Sequence, residues 1–135
     1  MNFYHRNILD LISKFLNKNI TLVIIGSRQT GKTVLLFLIR QQILDQKLIS
    51  ENQIINFDLE KGNDLSIFTN NTPDRFVEYL YTRLALEEKS LIYVFVDEIQ
   101  YLPDASSYVK VLIDHYPQIR LILSGSSSLE IKQIF

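Results

Sequence analysis

Residues Gly26-Ser27-Arg28-Gln29-Thr30-Gly31-Lys32-Thr33 set two glycines and a lysine–threonine pair at the spacing G-x-x-x-x-G-K-T. That spacing constrains the fold more than any other feature of the chain, because it has one structural setting: a loop between a buried strand and the first turn of a helix. Such a loop wraps a polyphosphate so that successive backbone N–H groups point at its oxygens. Glycine is needed where the loop turns sharply and where a side chain would block the phosphate. The flanks agree. Ile20-Thr21-Leu22-Val23-Ile24-Ile25 is a short run rich in β-branched residues and reads as a buried strand. Val34 to Leu44 has the length and composition of a helix. The phosphates would then sit at a helix N-terminus, where unpaired N–H groups and the helix dipole both favour anions. The predicted cradle is Gly26, Ser27, Arg28, Gln29, Thr30, Gly31, Lys32, Thr33 and Val34. Lys32 reaches the β- and γ-phosphates as a point charge, and the Thr33 hydroxyl is placed to ligate Mg²⁺.

The rest of the chain fits an α/β domain. Its 135 residues suffice for one domain and one core, and 47% hydrophobic content argues against disorder. The formal net charge is −1, with no run of lysine and arginine, so no overall basic field draws in nucleic acid or anionic lipid. There is no cysteine, hence neither disulfides nor thiolate metal sites. No apolar run approaches a membrane span and no signal-peptide core follows Met1, so the reading is a soluble, cytoplasmic protein.

Along the chain, Ile8, Leu11, Ile12 and Phe15 predict an amphipathic helix from Arg6 to Phe15. A second strand is expected from Gln53 to Asp58, and an irregular polar loop from Lys61 to Asn71. Thr72 reads as an N-cap with Pro73 at the first helical position and Asp74 in the first turn. That helix should run to about Lys89 and Ser90, with Phe76, Leu80 and Leu84 inward. Leu91 to Val96 is the strongest strand in the chain. A helix from Ala105 to Tyr116 follows, with Val109, Leu112 and Ile113 inward and Pro117 as its stop. Ile119 to Leu123 is a fourth strand, and Ser127 with Glu130 forms a capping box opening another helix. Strands alternating with helices predict a parallel sheet covered on both faces.

The third strand ends in Asp97-Glu98, at the sheet edge where ligands of open α/β sheets bind. Asp97 can hold the Mg²⁺ shell opposite Thr33. Glu98 then has a natural task, orienting and polarising the water that attacks a γ-phosphate. An acidic pair often just ends a strand in solvent; the phosphate loop is what gives this one a chemical task. If the fourth strand lies between the first and third, the Ser124 hydroxyl points at the same phosphate or water. Asp58 ends the second strand and could line the same edge. His5 and His115 are isolated, without a ligand partner at metal spacing. The tyrosines are spread through the chain as packing residues rather than a stacking platform. No Asn-Lys-x-Asp sequence occurs, which favours ATP over GTP.

Taken together, the phosphate loop, Phe95-Val96-Asp97-Glu98-Ile99-Gln100 and Leu123-Ser124-Gly125-Ser126-Ser127 resemble the AAA+ superfamily. The likeness is to prokaryotic AAA-type ATPases with a G-x-R-Q-x-G-K-T loop and a D-E-I-Q second motif. The resemblance implies a three-layer P-loop NTPase core with strand order 2-3-4-1. It makes Lys32 and Thr33 the Walker A pair, Asp97 and Glu98 the Walker B pair, and Ser124 the sensor-1 residue. The catalytic set would be Glu98, Lys32 and Ser124, with Thr33 and Asp97 as metal ligands and ATP with Mg²⁺ as cofactors.

The same resemblance implies a fifth strand, a lid or further C-terminal domains, and an arginine finger from a neighbouring subunit of a homo-oligomer. Arg120 is at the wrong end of its strand for that part. A chain stopping at Phe135 would leave Ile20–Ile25 as an exposed apolar edge, so a fragment or half of a split ATPase is expected. Two alternatives to an ATPase motor follow: a nucleotide-binding switch or assembly module with little turnover, and an ATPase helper of a DNA-processing or transposition system.

Overall fold

Runs of β-branched and aromatic residues collect in the two central strands, which are covered on both sides. The computed structural model describes residues 21–26, 31–47 and 49–126. Within them lie β1 (Leu22–Ile25), α1 (Lys32–Asp45), β2 (Ile54–Asp58), α2 (Gly62–Thr69), α3 (Pro73–Leu84), β3 (Ile92–Asp97), α4 (Ala105–His115) and β4 (Ile119–Gly125). All strand pairs are parallel and the order is β1-β4-β3-β2, the predicted 2-3-4-1 arrangement.

The period of two along each strand sorts the core into halves. On one face Tyr93 and Phe95 of β3 and Ile122 of β4 meet Ile39 and Ile43 of α1. On the other, Ile92, Val94, Val96, Leu121 and Leu123 pack with Phe76 and Leu80 of α3 and Val109 and Leu112 of α4. The same alternation decides which edge side chains face α1. Asp97 follows Tyr93 and Phe95, and Ser124 follows Ile122, so both lie on the α1 side at the carboxyl edge of the sheet.

Three expectations need correction. The stretch 61–71 is largely helix, not irregular loop. Its polar residues conceal Leu65 and Phe68, three apart on one side. Phe68 is buried, with its ring centroid 5.1 Å from that of Phe57 and 4.4 Å from that of Phe76. Asp64, in the first turn, accepts the Asp58 backbone N–H at 2.8 Å and ties the helix start to the end of β2.

The second correction is the end of α3, which falls at Leu84 rather than near Lys89 and Ser90. Ala85 takes a left-handed conformation (φ 53°), and its N–H closes the helix onto the Thr82 carbonyl at 3.3 Å. The start of α3 matches its prediction: Thr72 accepts the Arg75 N–H and Pro73 opens the helix.

Third, Ile113 is 39% exposed. The inward stripe of α4 runs through Ala105, Val109 and Leu112 to Tyr116, and Ile113 lies outside it. The predicted helices at Arg6–Phe15 and beyond Ser127 lie outside the described residues. Among the described residues no helix is long and apolar enough to cross a membrane.

Candidate functional site

Parallel register brings the ends of four strands to one edge. Ile24 is level with Ser124, Ile25 with Gly125, and Asp58 with Asp97. The Gly26 N–H donates to the Gly125 carbonyl at 3.2 Å, which pins the entry of the phosphate-loop sequence beside the exit of β4. Gly31 precedes α1 with φ 77°, a conformation that explains glycine there without any appeal to space, since no described atom approaches where a Cβ would stand. Ser27, Arg28, Gln29 and Thr30 lie outside the described residues.

Lys32, in the first turn of α1, is buried to 5% exposure and projects between Asp97, the last residue of β3, and Glu98, which follows it. Its Nζ lies 3.2 Å from Glu98 Oε1, to which it donates a hydrogen bond, and 3.5 Å from Asp97 Oδ1. Consecutive residues of a strand point to opposite faces, so two neighbouring carboxylates reaching one ammonium requires a break in the strand. Glu98 supplies it. Its backbone is left-handed (φ 59°), and its N–H is held by Asp97 Oδ1 at 2.9 Å. A non-glycine residue in this region carries strain of roughly 1–3 kcal/mol, which the surrounding packing sustains.

Each carboxylate is also held by a serine from the exit of β4. Ser124, fully buried, donates to Asp97 Oδ1 at 2.6 Å. Ser126 donates to Glu98 Oε2 at 3.0 Å. Gln100 completes the group: its amide Nε2 donates to Glu98 Oε2 and, at 3.0 Å, to Ser126 Oγ. Burial on its own would raise the Glu98 pKa. The hydrogen bonds from Gln100, Ser126 and Lys32, together with the Lys32 charge, outweigh it and hold the carboxyl below the ordinary glutamate value. Glu98 is therefore a carboxylate at neutral pH.

Beside this group a cavity of about 370 Å³ is lined by Thr33, Phe37, Arg40, Asn56, Asp58, Lys61, Asp64 and Asp97, among others. Thr33 and Asp97 thus share one open space, and Asp58 joins them from the end of β2. Val34 is 55% exposed and makes no part of the acid cluster. The set suits Mg²⁺ by its donor chemistry: a hydroxyl and a carboxylate, hard oxygens facing a cavity with room for phosphate oxygens and water. Among the described residues no group of three or more histidine, aspartate or glutamate side chains could cage a metal alone. A hard cation here would take the rest of its shell from substrate and water. Sequence reasoning gave no separate role to Gln100 or Ser126, although both sit in the quoted motifs, and it missed Lys61 and Asp64. The signal for Gln100 was present as a polar residue two places after the acid pair, but it needed the Glu98 turn to become readable.

The AAA domain family matches residues 18–134. The chain belongs to that family. Solved structures agree on the fold. Among them, S. cerevisiae Hsp104 in its casein complex superposes with a TM-score of 0.59 at 21% identity, over 96% of this chain and 24% of that one. C. elegans PCH-2 gives 0.57 at 13% identity, over 97% and 41%. A Walker-type ATPase of Pyrococcus abyssi gives 0.54 at 16% identity, over 96% and 46%. The chain therefore spans less than half the length of each of these three proteins. No curated protein matches it.

Proposed function

We propose that this AAA domain is a Mg²⁺-dependent ATPase module that couples hydrolysis to conformational work in a larger protein or assembly. The observation that carries the reading is the placement of Lys32 Nζ between Asp97 and Glu98, at 3.5 and 3.2 Å, at the carboxyl edge of a parallel sheet. An ammonium held by two carboxylates is a movable cation, and the β- and γ-phosphates of ATP compete for it. With Lys32 drawn onto the phosphates, Glu98 Oε1, next to the cavity-lining Asp97, is left as a hydrogen-bond acceptor. There it takes the proton of a water whose oxygen attacks the γ-phosphorus, while the bond to the β–γ bridging oxygen breaks and ADP leaves. Thr33 and Asp97 are the residues that would hold Mg²⁺. The metal, when bound, neutralises charge on the β- and γ-phosphate oxygens. Ser124 fixes the Asp97 carboxylate.

The decisive variant is Glu98→Gln, which keeps the shape and removes the proton acceptor. It should bind ATP like the parent and lose about 10²–10⁴ in turnover, the range of general-base contributions. Chelating the metal with EDTA should stop the parent. Wild-type turnover by Glu98→Gln contradicts the assignment.

One observation favours a second reading, a nucleotide-binding switch or assembly module with little turnover of its own. Arg40 lines the cavity, but its guanidinium pairs with Glu51 at 3.1 Å, away from the acid pair. An arginine finger contributes 10³–10⁵ in rate in related systems; in this reading a neighbouring subunit supplies it, and turnover is slow until that neighbour is present.

A further inference from the structure

Glu98 carries two hydrogen-bonded oxygens with different partners. Oε1 faces Lys32, a long side chain that substrate phosphate would draw away. Oε2 faces Gln100 and Ser126, which also bond to each other at 3.0 Å and so form a closed triangle with that oxygen. Both partners stand on fixed backbone. Gln100 lies in a single 3-10 turn, Ile99–Tyr101, whose flanks Ile99 and Leu102 are buried and whose Tyr101 N–H returns to the Glu98 carbonyl at 3.1 Å. Ser126 directly follows β4.

The Gln100 amide has a further peculiarity: its Oε1 is buried and has no hydrogen-bond partner among the described residues. Turning the amide over would aim that carbonyl at the Glu98 carboxylate, oxygen against oxygen. The side chain thus leaves its own acceptor unpaired while both donor contacts are kept, which marks the donors as the feature the site uses.

We infer that Gln100 and Ser126 are positioning residues for Glu98, holding Oε2 in place while Oε1 exchanges the Lys32 ammonium for the attacking water. The inference rests on the ATPase reading above. A free carboxylate would follow the departing lysine or swing into the cavity. The Gln100–Ser126 pair anchors it at the far oxygen, so the near one stays aimed where the lysine had been. Neither residue touches the reacting atoms; each acts through Glu98.

The test compares Gln100→Leu, Ser126→Ala and Glu98→Gln, singly and combined, in the full-length protein. The two positioning variants should lower kcat about 10- to 100-fold, the scale of a roughly 1 Å misplacement, with KM for ATP and affinity for ATP within about two-fold of the parent. Gln100→His, which retains an N–H donor, should recover part of kcat. In the Glu98→Gln background neither substitution should cost anything more, because the group they act through is already lost. A crystal structure with Mg²⁺, ADP and beryllium fluoride should show Glu98 Oε2 still on Gln100 and Ser126 with Lys32 withdrawn. This structure and Ser126→Ala carry the test if Gln100→Leu does not fold. Wild-type kcat in both positioning variants, a multiplied loss in the Glu98→Gln background, or Glu98 swung off Gln100 in that structure overturns the inference. Wild-type turnover by Glu98→Gln overturns the ATPase reading itself, so the two failures are distinguishable.

Discussion

Asp97 accepts from Ser124 at 2.6 Å, from the Glu98 backbone at 2.9 Å, and stands 3.5 Å from the Lys32 ammonium. Together these contacts fix the direction of its oxygens. A group that orients a metal-binding carboxylate typically changes metal affinity or activity about 10- to 100-fold when removed. Ser124→Ala should therefore raise the Mg²⁺ concentration giving half-maximal turnover by about that factor while leaving the fold intact; a Mg²⁺ titration checks it, and an unchanged midpoint removes Ser124 from the site. At this scale the sequence was informative about residue type and silent about direction. Lys32, Thr33, Asp97 and Glu98 were legible from motif spacing. That Asp97 and Glu98 share one ammonium was not, because alternation in a strand predicts opposite faces and only the left-handed turn at Glu98 overrides it. Ser126 and Gln100 were visible as letters in the motifs, but their bond to one carboxylate oxygen depends on the two segments meeting, a tertiary fact.

At the scale of elements, the helices over the α2–α4 face are held by an aromatic cluster of Phe57, Phe68 and Phe76, with Tyr108 at its rim. Phe76 is fully buried at the centre. Phe76→Ala should cost about 3–5 kcal/mol in a urea titration. Thr72→Ala, which loses only the bond to the Arg75 N–H at the start of α3, should cost about 1 kcal/mol. A reversal of that order would mean that the cap, not the ring cluster, fixes α3. Strands β3 and β4 and the start of α3 were legible because continuous apolar runs and the Thr-Pro-Asp sequence are local signals. Helix α2 was not. Its eight residues show only Leu65, Ile67 and Phe68 against a polar background, and Phe68 is held by Phe57 and Phe76 from the neighbouring elements. The early end of α3 was also hidden, since the left-handed Ala85 lacks the glycine that usually announces such a turn.

Over the whole molecule, the carboxyl ends of four parallel strands meet at one edge, with the cavity beside the ends of β2 and β3, and everything proposed for the site depends on that edge. The strand order followed from the resemblance and is the observed one; the family is the AAA domain family. On β1, Val23 and Ile25 are 36% and 43% exposed. If a neighbouring subunit completes catalysis, turnover per protein should rise steeply with concentration before reaching a plateau; a rate per protein that stays flat, and low, supports the switch reading. The most direct measurement is calorimetric titration of ATP, with Mg²⁺, into the parent and into Lys32→Ala. The account predicts one ATP per chain for the parent and loss of binding in the variant, with circular dichroism confirming that the variant is folded. A folded Lys32→Ala protein that binds ATP as tightly as the parent would contradict it.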